Sequence, residues 1–265
     1  YFIQAEKELK GSDIMLMKLG ENGVLNVPDF LANEMKPGDV LAYDGRTVDA
    51  DICLRIDKKL KGKDIKVIKD VDLAGEVFDA SGQRPALTFG AICDYPVKYS
   101  GVSRTDKFKR IREYLSENSA SSFVLSSLDE IAWLFNLRGS DIPMNPVFMS
   151  YAIVNANEAI LYAGDGTVDD ELKNVLFSDG ITLRDYDSFY DDLDKCETAF
   201  FVDINSSNSL IYDIALKSGG GHLKSPVLLY KAVKNDAELN GIRDAHIKDA
   251  IAYVRFLAWL YNRDL

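Results

Sequence analysis

Polar side chains are concentrated in a short loop between two apolar segments in the middle of the chain: Arg138, Ser140, Asp141 and Asn145. The guanidinium of Arg138 offers a fork of N–H donors that suits a carboxylate or backbone carbonyl oxygens, and Asp141 suits a cationic amine as an acceptor. A polar loop held between two anchored elements is a common place for binding groups. We therefore predict a ligand-contacting loop. One alternative stays open, an ion pair between Arg138 and Asp141 that only orders the turn.

The elements on either side of this loop must position it. Ser127 followed three residues later by Glu130 is the pattern of a capping box, so a helix is predicted to begin at Leu128. Apolar residues then recur at helical spacing, and Gly139 is predicted to supply the left-handed residue at which the helix stops. The apolar run Val147 to Val154 predicts a buried strand after the loop.

The sequence carries no recognisable catalytic motif. His222 and His246 stand outside any HExxH or paired Cys/His arrangement. There is no GxSxG elbow, and the run Ser218 to His222 lacks the Lys and Ser/Thr of a phosphate-binding loop, so a flexible connection is predicted there. The acidic pairs at 169–170 and 191–192 are expected to be solvated helix charges. We therefore predict neither a catalytic residue nor a metal ligand in this chain.

The overall charge limits the partners. Asp and Glu number 42 against 31 Lys and Arg, and the formal net charge is −11. Phosphate binding requires a concentrated basic surface, so nucleic acid is not an expected partner. The longest apolar runs are far shorter than the roughly 20 residues that span a bilayer, so no membrane association is expected either.

Cysteine usage and length indicate the compartment and the number of domains. Cys53, Cys93 and Cys196 are widely spaced and form neither a disulfide framework nor a zinc pattern, which favours reduced thiols and a cytoplasmic location. The chain opens in mid-pattern without Met, so we expect the natural N-terminus to lie upstream. At 265 residues, two domains are the better expectation.

Strands and helices are predicted to alternate along the chain, as in α/β proteins. In the first half, apolar periodicity and turn residues predict strands at 1–4, 14–19, 40–43 and 65–68, helices at 27–35 and 48–60, and a linker at 79–99. In the second half they predict a helix that Thr105 or Ser103 caps and that carries Phe108, Ile111 and Leu115 on one face. Further helices are predicted at 168–176, 186–194 and 209–216, and strands at 122–126, 147–154, 159–162, 181–184 and 199–203.

The two halves repeat one order of elements, with Asp44 and Asp203 each closing a strand before a helix. This favours an internal duplication in which the first copy lacks its front half, with convergent α/β patterning as the alternative. Further on, Asn235 and Glu238 form a second capping-box pattern, and apolar residues recur at helical spacing from 247 to 261. Such a long amphipathic helix needs a partner surface.

Three segments resemble a known family. The run Leu128 to Tyr151 is similar to the signature of the three-domain Xaa-Pro aminopeptidases (aminopeptidase P), metal-dependent peptidases of the creatinase or "pita-bread" superfamily. Lys231 to Ala250 resembles the opening of that family's catalytic domain, and Tyr1 to Leu9 resembles the middle of its first domain. The three matches stand in the family's order along the chain.

The resemblance implies an α/β fold with two creatinase N-terminal-like domains, each a mixed β-sheet flanked by helices, the first of them incomplete. Residues 1–98 would be the partial first domain with its linker, and residues 99–229 the second domain. Residues 230–265 would be the first helix of a pita-bread catalytic domain whose remainder lies outside this chain.

By the same resemblance, the parent polypeptide is a metallopeptidase that removes an N-terminal residue preceding proline. This chain would be a noncatalytic part, inactive alone, that shapes substrate access and subunit contacts. The family binds two divalent ions, with manganese expected, through two Asp, one His and two Glu of the catalytic domain. Arg138, Asp141 and Asn145 are the expected substrate-contacting residues. The expected partners are the parent's own catalytic domain, a second subunit in a homodimer, and short peptides with proline second.

Two other classes of function stay open. In a catalytically silent paralogue the α/β domains would act as a binding or scaffold module, and the parent's C-terminal domain would lack the five metal ligands. The other alternative is a prolidase or creatinase-type hydrolase of the same superfamily. Its members normally carry one N-terminal domain, so an intact upstream half of the first unit would count against it.

Overall fold

The computed structural model describes residues 1–263, which form two compact units. The first comprises residues 1–84 and 208–210, and the second comprises residues 85–207 and those from 211 onward. Residues 85–98, which the sequence assigns to the first domain and its linker, pack with the second unit. There the Ile92 N–H donates to the Thr167 carbonyl at 2.8 Å.

The first unit is built on a pair of parallel strands with helices around it. Its elements are α1 (Phe2–Glu8), α2 (Val27–Glu34), β1 (Val40–Ala42), α3 (Ala50–Leu60), β2 (Lys66–Ile68) and α4 (Leu73–Ser81). β1 pairs with β2 in parallel. The helix predicted at 27–35 is confirmed, and it begins where the Asn26 side chain accepts from the Asp29 N–H at 3.0 Å.

Two strands predicted in the first unit are wrong. The segment predicted as a strand at Tyr1 to Gln4 is helical from Phe2, where α1 begins. The Gln4 side-chain amide donates to Glu8 one turn later at 2.9 Å. Residues 14–19 have no regular secondary structure. Alternating apolar residues favour a strand only where a neighbouring strand accepts its hydrogen bonds. Within residues 1–84, the structure pairs β1 and β2 with each other and leaves residues 14–19 outside that ladder.

The second half of the chain contains a larger sheet. Its elements are β3 (Cys93–Asp94), α5 (Val97–Ser100), α6 (Arg104–Glu117), β4 (Ser122–Leu125), α7 (Leu128–Leu134), β5 (Leu137–Arg138), β6 (Ser150–Asn155), β7 (Ala159–Ala163), α8 (Asp170–Ser178), β8 (Ile181–Asp185), α9 (Phe189–Asp194), β9 (Phe201–Val202), α10 (Ser209–Lys217), β10 (Gly221–His222), α11 (Val227–Ala232) and α12 (Asp236–Tyr261). Six strands lie in the order β10-β9-β4-β6-β7-β8. The pairs β4–β6 and β6–β7 are antiparallel and the others are parallel. The predicted α/β class with a mixed sheet is confirmed.

The core of the second unit forms where α6 packs against the sheet. Phe108, Ile111 and Leu115 are each at most 3% exposed, as their helical spacing predicts. The Phe108 ring meets Phe135 edge to face, with centroids 4.9 Å apart. Each such side chain contributes about 1.5 to 3 kcal/mol to folding through burial. This core supports the loop and helix ends that form the site described below.

The duplication hypothesis fits only the later part of each half. β1 is followed by Asp44 and then α3, and β9 is followed by Asp203 and then α10. β2 lies parallel to β1 as β10 lies parallel to β9. The run Ser218 to His222 therefore ends in a paired strand, and the flexible connection predicted there is wrong. Gly220 allows β10 to lie this close to β9, because a Cβ on residue 220 would be 1.7 Å from the Phe200 carbonyl oxygen.

The long helix at the end of the described chain is α12. Its predicted capping box is confirmed: Asn235 accepts from the Glu238 N–H, and Glu238 accepts from the Asn235 N–H, both at 3.0 Å. The apolar side chains of its later turns are exposed, including Ile247 at 60% and Trp259 at 51%. Within residues 1–263, no helix combines the length and hydropathy required to cross a membrane.

Candidate functional site

The signature helix α7 starts at Leu128 as predicted, but its predicted capping box is wrong. The Ser127 hydroxyl bonds to the Asp129 carboxylate at 2.8 Å and caps no backbone N–H. Glu130 turns into the interior, where it is 5% exposed and accepts from the Ser225 hydroxyl at 2.5 Å. Burial raises the pKa of Glu130, and the Ser225 hydrogen bond opposes that shift. Glu130 thus ties α7 to the segment that precedes α11.

The helix also ends earlier than the sequence predicts. α7 stops at Leu134, and Asn136, with φ 51°, is the left-handed residue that turns the chain. Gly139 serves packing instead, since a Cβ there would lie 2.6 Å from the Cβ of Phe148. Asn can take this backbone conformation at low energetic cost, so it competes with Gly as a helix stop. Arg138 consequently lies in the short strand β5, paired with β3, and not in the loop.

A cavity of about 720 Å³ in the second unit is the candidate site. It lies between the end of α7, the residues before α6 and the first turns of α12. Its wall combines aromatic rings with charged and amide groups, including Tyr95, Tyr99, Trp133, Arg138, Asn145 and Glu238. Concave sites with apolar walls and a few fixed polar groups are the usual places for ligands.

Arg138 is a fixed part of that wall. Its guanidinium lies 4.1 Å from the centroid of the Tyr95 ring. Its Nη1 donates to the carbonyl oxygens of Ala132 at 2.9 Å and of Leu137 at 2.8 Å. Burial lowers the pKa of Arg138, but an arginine retains its charge near neutral pH. Arg138 therefore presents a positioned positive charge at the cavity.

Asp141 and Asn145 have different surroundings. One Asp141 oxygen accepts from the Gly90 N–H at 2.5 Å and the other from the Met149 N–H at 2.7 Å, so Asp141 holds the loop in place. The structure gives Arg138 and Asp141 these separate partners instead of a pair with each other. Asn145 lies on the cavity wall with Arg138. Of the three predicted contact residues, the structure brings Arg138 and Asn145 together at the cavity.

Sequence reasoning missed the aromatic wall. The indole N–H of Trp133 donates to a Glu238 oxygen at 3.1 Å, and the other Glu238 oxygen completes the capping box of α12. Asn235 also donates to the Ser100 carbonyl at 2.8 Å, which attaches the start of α12 to the end of α5. Only the Asn235 and Glu238 capping pattern was visible in the sequence.

A charged edge completes the cavity. The Lys231 ammonium donates to the Asp129 carboxylate, which joins α11 to α7. Burial raises the pKa of Asp129, but hydrogen bonds from Lys231 and Ser127 outweigh it, and the net shift is downward. Both side chains line the cavity. This ion pair adds charged groups to the aromatic wall of the cavity.

The described residues do not fit a metal site. Within residues 1–263, no group of three or more His, Cys, Asp or Glu side chains lies close enough to hold an ion. His222 Nδ1 lies 3.2 Å from the Val202 carbonyl oxygen, and His246 Nδ1 lies 2.9 Å from the Ile242 carbonyl oxygen. Among the described residues, those that line the cavity include no Ser, Cys or His. The arrangement therefore suits binding of a ligand with apolar and hydrogen-bonding groups.

Comparison with known proteins identifies the family of this chain. Residues 83–238 match the Creatinase/Prolidase N-terminal domain, and the chain belongs to that family. The matched range covers the large sheet, the first turn of α12 and the cavity-lining residues up to Glu238.

Individual relatives extend the similarity to nearly the whole chain. It is 36% identical over 282 residues to "Probable Xaa-Pro aminopeptidase P" of Chaetomium globosum. The alignment covers 99% of this chain and 44% of the relative. It is 35% identical over 269 residues to Xaa-Pro aminopeptidase 1 of Dictyostelium discoideum, covering 98% and 42%. The chain thus spans less than half the length of these curated relatives.

A solved structure shows the same fold. The X-prolyl aminopeptidase of Caenorhabditis elegans matches with a TM-score of 0.91 and 27% identity, over 98% of this chain and 43% of that one. It is described as a cytosolic enzyme with a di-nuclear active site.

Proposed function

We propose that this chain is the noncatalytic N-terminal region of a metal-dependent Xaa-Pro aminopeptidase. The observation that carries the proposal is the extent of the similarity: relatives of that name match 98 to 99% of this chain but are more than twice as long. The described residues provide no metal-ligand group. The remaining length of such an enzyme would hold the two divalent ions, with manganese expected, and the isolated chain would be inactive.

The second unit would shape access of peptides with proline in the second position. The cavity supports this role because Arg138 and Asn145 offer hydrogen-bonding groups beside the rings of Tyr95 and Trp133. A peptide backbone and a proline ring require that combination of polar and apolar contacts. Asp141 would act indirectly by holding the loop through Gly90 and Met149.

The helix α12 would be the first helix of the catalytic domain. Its exposed apolar residues, such as Ile247 and Ile251, support this because a helix of this kind is stable when another surface covers it. The remainder of the same polypeptide is the proposed covering surface. A homodimer and a cytoplasmic location complete the proposal, and the cytosolic description of the Caenorhabditis elegans enzyme supports the location.

Steady-state kinetics of the full-length protein test the role of the cavity. Replacing Arg138 with Ala should raise KM for Xaa-Pro peptides by roughly threefold to tenfold, the effect of one lost hydrogen bond, with kcat largely retained. Arg110→Ala is the matched control, because Arg110 also lies over a ring, that of Tyr230 at 4.0 Å, but outside the cavity. An unchanged KM for Arg138→Ala would contradict the substrate role.

The same assays separate the alternative functions. A full-length protein that binds peptides without cleaving them would favour the silent binding module, and cleavage restricted to dipeptides would favour a prolidase-type hydrolase. Sedimentation of the full-length protein tests the homodimer.

A further inference from the structure

Lys107 occupies an unusual position under the cavity wall. It lies on the inner face of α6 and is 2% exposed. Its ammonium donates to the Trp133 carbonyl at 2.7 Å and to the Asn136 side-chain oxygen at 2.6 Å. It also lies 3.8 Å from the centroid of the Trp133 ring. Buried lysines are rare unless they are paired, and none of the ion pairs among residues 1–263 includes Lys107.

The two acceptors are the residues that shape the end of α7. Trp133 belongs to the last turn of that helix, and Asn136 is the left-handed residue that redirects the chain into β5. Asn136 in turn donates to the Val102 carbonyl at 2.9 Å, which leads back to the start of α6. The ammonium therefore joins α6 to both sides of this turn.

The contact reaches the cavity through Trp133. The backbone carbonyl and the ring face of Trp133 contact Lys107. Its indole N–H donates to Glu238 at the start of α12. A cation over the face of a tryptophan is stabilised by the ring, and this attraction is stronger away from water. A change at Lys107 must therefore alter how firmly Trp133 is held against both the cavity and α12.

We propose that Lys107 is a proton-dependent positioning residue: its charged form fixes Trp133 in the cavity wall and on Glu238, and loss of its proton releases that hold. A neutral amine keeps two N–H donors for the two oxygens, but it loses the charge that attracts the ring. The proposal concerns Trp133 and α12 and does not depend on the peptide-binding role proposed above.

The surroundings place the change near neutral pH. Burial is the largest influence and lowers the pKa of Lys107 to about 7. Glu238 on α12 favours the charged form, whereas Arg138 on β5 and Arg104 on α6 oppose it. The end of α7 contributes only neutral oxygens to the ammonium. The lysine charge should therefore change between about pH 6 and 8.

Tryptophan spectroscopy can observe this directly. The chain has two tryptophans, so Trp259→Phe leaves Trp133 as the single reporter. We expect the indole N–H signal in ¹⁵N NMR and the fluorescence of Trp133 to shift together between pH 6 and 8.5, with a midpoint near 7. If neither signal changes across this range, the proposal is overturned. This experiment requires no substitution of Lys107.

Variants identify the titrating group. In the Trp259→Phe background, Lys107→Arg stays charged and Lys107→Met stays neutral, so both should abolish the transition. Its persistence in Lys107→Arg would overturn the proposal even if Lys107→Met fails to fold. The transition must also survive in the His222→Gln, His246→Gln double variant, which removes both histidines of the chain.

A second pair of variants tests the link to α12. Because Glu238 favours the charged lysine, Glu238→Gln should move the midpoint to lower pH. Asp129→Asn is the matched control, since it removes an acidic group of the same cavity that is paired with Lys231. An equal shift in both variants, or an upward shift in Glu238→Gln, would contradict the proposed arrangement.

Discussion

Trp133 and Glu238 are 105 positions apart in the chain, yet the indole N–H of one donates to the carboxylate of the other at 3.1 Å. The same carboxylate accepts from the Asn235 N–H at the start of α12. Glu238 therefore joins a local helix cap to a long-range contact. Through it, the orientation of α12 is coupled to the wall of the cavity.

Loss of the Glu238 carboxylate should weaken this attachment. Glu238→Ala leaves the Trp133 indole and the Asn235 N–H without their acceptor, and we expect the free energy of unfolding to fall by about 1 to 3 kcal/mol. Urea denaturation followed by circular dichroism measures it. Asp249→Ala changes an exposed acidic residue of the same helix and should stay within about 0.5 kcal/mol of the unaltered protein. Equal losses in the two variants would show that the cap and the indole contact contribute little.

Asp141 should matter for stability. It accepts from the backbone N–H groups of Gly90 and Met149, so Asp141→Ala leaves two partly buried donors unpaired. Hydrogen bonds to charged groups are the stronger ones, and we expect a loss of about 2 to 4 kcal/mol in the free energy of unfolding. Thermal and urea unfolding measure this loss. Asp165→Ala, at an exposed position, is the control, and a comparable effect there would rule out this explanation.

Glu130 should make stability depend on pH. Burial raises the pKa of Glu130 in the folded protein above its ordinary value, so folding favours the protonated form. Its contribution is then fully present below the ordinary pKa of 4.5 and is lost as pH rises through the folded pKa. Glu130→Gln keeps an acceptor for the Ser225 hydroxyl without the charge. We therefore expect this variant to gain stability relative to the unaltered protein as pH rises above 4.5, the ordinary pKa of the group.

Urea denaturation of both proteins at several pH values checks this expectation. The difference in the free energy of unfolding should grow as pH rises, in the direction that favours Glu130→Gln. A constant difference across the range would mean that Glu130 keeps its ordinary titration in the folded state.

Much of the second unit could be predicted from the sequence. The apolar spacing of Phe108, Ile111 and Leu115 predicts the buried face of α6, and the capping residues Asn235 and Glu238 predict the start of α12. Most strands of the large sheet also lie where short apolar runs predict them. These predictions are correct because each feature depends on residues within about one helical turn or one strand.

Other features required the tertiary structure. Ser127 and Glu130 have the local pattern of a capping box, but Glu130 bonds instead to Ser225, 95 positions away. Asn136 ends α7 before Gly139 because distant groups hold its side chain. The side chain accepts from Lys107 on α6 and donates to the carbonyl of Val102, just before α6. In both cases a distant partner outweighs a local preference that contributes only about 1 kcal/mol.

The sequence by itself determined the family signature, the α/β class, the candidate residue Arg138 and the start of α12. Only the tertiary structure decided that Arg138 and Asn145 share a cavity with Trp133 and Glu238, while Asp141 holds the loop. The physical reason is that a cavity is formed by side chains from distant segments, and which of them meet depends on how the helices pack on the sheet. A local pattern predicts where a helix begins, but it contains no information about the residue that its side chains will contact.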